Sequence, residues 1–118
     1  MRYVTLTKEN WIYGKSSRLA YHESANESRS CCVGVALAGF GVDKDKYKGL
    51  GTLEGIDIDS IPRELREINE AEMMALYADN DTTASQPSFS TPEKRVERLN
   101  VVLKRAGAAF RFKYVDAT

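Results

Sequence analysis

Two adjacent thiols, Cys31 and Cys32, and the single histidine, His22, are the side chains best suited to nucleophilic or metal chemistry. A structural zinc site takes about four ligands, usually with cysteines two to four residues apart. Here three candidate ligands occur and no Cys-x-x-Cys spacing, so no metal site is expected. His22 could act as a base for Cys31 or Cys32 in a hydrolase. Free cysteine is, however, among the most buried residue types. Both thiols fall in the most apolar run of the chain, from Cys31 to Val42. They read as packing residues, and adjacent thiols cannot staple distant segments.

The acids Asp57, Asp59, Glu64, Glu67, Glu70 and Glu72 could hold a general acid and base, but such a series is ordinarily a solvated face. Gly49-Leu50-Gly51 with Gly55 only superficially resembles a phosphate loop, because no Lys-Ser or Lys-Thr pair closes it. Neither Gly-x-Ser-x-Gly nor His-Glu-x-x-His occurs. The expectation is a non-enzyme with no catalytic residue and no cofactor.

A basic stripe carries more. Arg95, Arg98 and Arg105 recur at helical spacing, and arginine forks grip phosphate bidentately. The loop that begins at Asn80-Asp81 leads directly into their helix. A small anionic ligand could sit between that loop and Arg95 or Arg98. The plainer alternative is that these arginines pair with Glu93 and Glu97 or face water.

The elements that must position these residues follow from local signals. Thr91 as N-cap, Pro92 at the first helical position and Glu93 in the first turn start a helix over 92–106. Val96, Leu99, Leu103 and Ala106 give it an apolar side, and Gly107 stops it. Phe110, Phe112 and Tyr114 alternate with Arg111 and Lys113 as a half-buried strand. Ser30 is expected to cap a buried helix over about 30–39, ended by Gly39 or Gly41. Weaker signals predict a short helix from Thr7 to Tyr13 and a strand at Arg18–Tyr21. Residues 43–61 read as a loop with one or two short strands, including Ile56-Asp57-Ile58-Asp59. A helical turn follows from Pro62 to Glu67, then a helix from Glu70 to Ala78 with Met73, Met74 and Tyr77 on its apolar side, then a loop to Ser90. The fold class expected is α+β: one domain over residues 1–118, with a small antiparallel sheet packed against the buried helix and the C-terminal helix.

With 118 residues, 42% hydrophobic and 29% charged, the chain can bury a single core. Seventeen basic residues balance seventeen acidic ones, which argues against general nucleic-acid binding and leaves self-association open. No apolar run approaches the roughly 20 residues of a membrane span, and no secretory signal is seen, so a cytoplasmic protein is expected.

Trp11, Arg18-Leu19, Cys31-Cys32-Val33-Gly34-Val35, Ala38-Gly39-Phe40-Gly41-Val42, Asn80-Asp81 and Ser88-Phe89, with the helix from Pro92, form a pattern spread over most of the chain. It resembles a family of small accessory proteins of tailed phages and prophages. The sequence departs from that pattern in a longer loop between Asp81 and Ser88, in the intervening Ser90-Thr91-Pro92, and in the extended last strand. The resemblance implies a phage-type protein of the bacterial host cytosol. By analogy with anti-defence sponges, it would be an oligomer that sequesters a (cyclic) nucleotide signal without cleaving it. Arg95 and Arg98 would hold phosphate, Asn80 or Asp81 the ribose or base, and Arg18 or Tyr21 would complete the pocket. The alternative is a protein-binding inhibitor of a host enzyme, anti-CRISPR-like, working through the hydrophobic and acidic Ile56–Ile68 region.

Overall fold

The computed structural model describes residues 1–15 and 29–116. The strand expected at Arg18–Tyr21, and with it His22, lies outside these. The structure combines strands and helices: β1 (Arg2–Leu6), α1 (Cys32–Gly39), α2 (Arg63–Arg66), α3 (Glu70–Asp81), α4 (Pro92–Arg105) and β2 (Phe110–Tyr114). The α+β expectation holds, but the sheet is parallel rather than antiparallel, with Arg2 opposite Phe110 and Leu6 opposite Tyr114. The partner of the C-terminal strand is the beginning of the chain. Val4 and Leu6 alternate there with Tyr3 and Thr5, as a half-buried strand requires. Every described helix lies in the connection between the two strands, and so long a connection permits parallel pairing.

The core gathers Val4 and Leu6 from β1, Phe110 and Phe112 from β2, most of α1, and the inner sides of α3 and α4. α4 is built as its sequence dictates. Thr91 Oγ1 accepts from Lys94 N at 3.1 Å, and Gly107 ends the helix with a φ of +70°. Val96, Leu99, Val102 and Leu103 are buried along it, and Ala106 is partly buried.

α1 is apolar on all sides and buried from Cys32 to Leu37. Its N-terminus corrects the sequence expectation. Ser30 does not cap it but forms a parallel bridge with Trp11, and Cys31 holds the N-cap position without a side-chain bond. The capping oxygen comes from another helix: Asn80 Oδ1 accepts from Cys32 N at 2.9 Å.

Three further expectations are corrected. Residues 7–13 form a turn rather than a helix, because Asn10 and Thr7 bond each other's backbone N–H and Asn10 Nδ2 reaches back to Thr5 O. The chain then leaves into the Trp11–Ser30 bridge. Residues 43–61 contain no strand; they form 3-10 turns at Lys44–Lys46, Leu53–Gly55 and Ile58–Ser60, capped by the side chains of Asp43, Thr52 and Asp57. Asp57, read as part of an alternating strand, offers its carboxylate to Asp59 N and so favours the turn. α2 matches the expected turn, but α3 continues to Asp81, and Met74 is 54% exposed rather than on the buried side. Leu76 and Asn80 take the buried positions instead.

Candidate functional site

The last turn of α3 and the first turn of α4 bring Asn80, Asp81 and Arg95 together. Asn80 is fully buried. Its Oδ1 accepts from Trp11 Nε1 at 2.7 Å as well as from Cys32 N, and its Nδ2 donates to Ile12 O at 3.1 Å and Asp81 Oδ1 at 3.0 Å. Both lone pairs and both protons of the amide are thereby engaged. Asn80 joins the 11–12 segment, α1 and α3 through one side chain.

Arg95 is also fully buried. Its Nη1 donates to Asp79 O at 2.7 Å and Asn80 O at 3.1 Å, and its Nη2 donates to Phe89 O at 3.3 Å. The first two carbonyls belong to the end of α3, where a helix leaves its acceptors unsatisfied and its dipole negative. The guanidinium thus caps α3 from α4. Tyr13 lies 4.8 Å and Phe89 5.1 Å from it by ring centroid, both in cation–π range. Burial lowers the pKa of Arg95, although Tyr13 and the nearby carboxylates act to raise it. Its Nε has no hydrogen-bond partner among the described residues.

The predicted anion site is therefore split. Arg98 stands exposed on the outer side of α4, where it shares with Lys94, Glu97, Pro87 and Ser88 a shallow depression of about 280 Å³. Arg105 bonds Glu72 through Nε at 2.6 Å, a pairing across helices rather than with Glu93 or Glu97. Arg18 and Tyr21 lie outside the described residues. The helical spacing was read as putting the three arginines on one side of α4, but Arg95 alone turns into the end of α3.

The thiols are core residues. Burial pushes Cys31 up to about 11 and Cys32 well above the usual thiol value, so both are protonated at neutral pH. Among the described residues no group of three or more His, Cys, Asp or Glu side chains gathers in metal-binding proximity. No described helix is long and apolar enough to cross a membrane.

A second region has the opposite character. The turns at 53–55 and 58–60 pack against α2 and α3 around a groove of about 430 Å³. Ile56, Leu65, Ile68 and Met73 are its buried apolar lining, while Ile58, at 66% exposure, and Met74 line it from the solvent side. Tyr77 fixes the wall: its hydroxyl accepts from Leu53 N at 3.0 Å. Burial raises the pKa of that phenol, which keeps the hydroxyl neutral. Glu54 and Glu70 also line the groove, with Arg66 as its cation. The Ile-Asp-Ile-Asp alternation was the sequence signal for this surface. The share contributed by α3 was hidden because Met74 was read as core.

Comparison of the chain with protein-family models, with curated proteins and with solved structures finds no match to any of them.

Proposed function

We propose that this chain acts by binding rather than by catalysis, and that it engages a partner protein through the groove between the 53–60 turns and α3. The occupant is a short amphipathic helix whose apolar side chains are flanked by lysine or arginine. The carrying observation is the exposure of Ile58 and Met74 on a groove that also holds two carboxylates, Glu54 and Glu70, against one cation, Arg66. Large apolar side chains left in water around a concave surface are the mark of an interaction site. The acids at the groove favour a basic partner by charge complementarity.

The nucleotide reading has less support. Asn80 and Arg95 are engaged within the fold, which among the described residues of that region leaves Arg98 and Lys94 to hold an anion in a depression that also contains Glu97. Its roughly 280 Å³ falls below the range of about 300–1,000 Å³ usual for small-molecule sites. The phage-type setting and interference with a host protein rest on the sequence resemblance, and they belong to this proposal as its biological context.

Calorimetric titration with a leucine–lysine amphipathic helical peptide, its leucine–glutamate counterpart and a cyclic dinucleotide tests the reading. The basic peptide alone is expected to bind, and the double substitution Ile58→Arg with Met74→Arg should weaken it at least about tenfold, or about 1.4 kcal/mol. Equal affinity for both peptides, or a variant that binds unchanged, contradicts the groove. Binding of the dinucleotide that is lost in Arg98→Ala would restore the anion reading.

A further inference from the structure

Among the described residues each strand of the sheet has a side that carries no further strand, and the molecule treats these sides differently. On β2, Asn100 of α4 donates through Nδ2 to Phe112 O at 2.9 Å and accepts through Oδ1 from Phe112 N at 2.8 Å. An amide placed there occupies the groups that an added strand would use. On β1 the phase is set by Leu6, whose carbonyl accepts from Val115 N at 2.9 Å. Alternation then turns Arg2, Val4 and Leu6 toward β2 and the N–H and C=O of Tyr3 outward. The next outward carbonyl, that of Thr5, is held by Asn10 Nδ2 at 3.1 Å. The outward groups of Tyr3 have no such partner among the described residues. Beside this edge runs a trough of about 450 Å³, walled on the α1 side by Val35, Ala38 and Gly39.

We propose that the β1 edge pairs antiparallel with the same edge of a second copy, about a two-fold axis beside Tyr3, to form one four-stranded sheet. The groups present argue for a second copy rather than a foreign strand. A two-fold axis at Tyr3 sets the N–H of each copy against the C=O of the other, so the edge complements itself. The chain has no net charge to oppose the approach. Two cations near the edge are engaged within the chain: Arg2 donates to Gly39 O at 3.0 Å and lies 3.7 Å from Glu64, and Lys113 Nζ lies 5.9 Å from the Tyr3 ring centroid. The small residues Ala38 and Gly39 let the α1 helices of the two copies draw close. Asn10 limits the ladder at Thr5, so the pairing is short and the dimer depends on concentration.

Cysteine cross-linking tests this. Residues facing each other in a hydrogen-bonded antiparallel pair have Cα atoms about 5.5 Å apart, within disulfide range. Two Thr5 positions would lie about 14 Å apart, because each faces residue 1 of the other copy. Tyr3 is 55% exposed and tolerates replacement, and the native thiols are buried. Under mild oxidation Tyr3→Cys is expected to run as a disulfide-linked dimer on a non-reducing gel, whereas Thr5→Cys stays monomeric. Sedimentation of the unsubstituted protein should show dimer growing with concentration up to the millimolar range. No cross-link at Tyr3→Cys, equal cross-linking at both positions, or a monomer throughout the sedimentation series overturns the proposal.

Discussion

The end of α3 and the groove beneath it are built from opposite violations of the usual rule for burial. Around Asn80 and Arg95, polar side chains lie inside the protein and nearly all their hydrogen-bonding groups are satisfied. Around Ile58 and Met74, apolar side chains lie more than half exposed. A buried polar group that is fully bonded has done its work within the fold. An exposed apolar group in a groove gains free energy only when something covers it. The difference separates residues that hold the molecule together from residues that can recognise another.

The largest effect that would break this comparison concerns Arg95. Replacing it with Met keeps much of the aliphatic volume but orphans the carbonyls of Asp79 and Phe89 and leaves Asn80 O with Gly14 N alone. Urea unfolding is expected to show a loss of about 3 kcal/mol. A loss below about 1 kcal/mol would mean that the guanidinium is free to serve a ligand. At the groove the pattern should invert. The Ile58→Arg and Met74→Arg double variant should unfold within about 0.5 kcal/mol of the parent, since both side chains already meet water. A large destabilisation there would make the groove part of the core.

The smallest effect is on pH. Cys31 titrates at about 11 in the folded chain against 9.0 when unperturbed, and burial raises Cys32 and Tyr77 in the same direction. The unfolded chain therefore releases these protons first, and stability falls as pH rises from about 9 toward 11. Thermal unfolding between pH 8 and 10.5 checks this. A flat profile, or rapid modification of the native thiols by a disulfide reagent at pH 8, would place them outside the core.

What was legible in the sequence was what neighbours decide. Thr91, Pro92, Glu93 and Gly107 specify α4 within one stretch, and the structure has it over nearly the expected residues. β1 was not legible, because five residues beginning with Arg2 acquire meaning only beside Phe110–Tyr114 at the other end of the chain. The cap of α1 was misread for the same reason: Ser30 is nearby in sequence, but Asn80 supplies the oxygen from 48 residues away. For the candidate site, the sequence showed the residue types and their spacing but not the direction in which each side chain packs. Spacing alone put Arg95 and Arg98 on one side of a helix, whereas packing on α3 turns Arg95 inward and leaves Arg98 in water. The Ile56–Ile68 surface was partly visible, because two isoleucines among acids cannot all be covered by so short a turn.

The most direct test of the groove is a two-dimensional amide NMR spectrum of the labelled protein during titration with the leucine–lysine peptide, followed by a cyclic dinucleotide in the same sample. Peptide-induced shifts confined to residues 53–61 and the outer side of α3, with none caused by the nucleotide, are the predicted result. Shifts centred on Lys94 and Arg98 with the nucleotide, and none at Ile58 or Met74 with the peptide, would contradict the account.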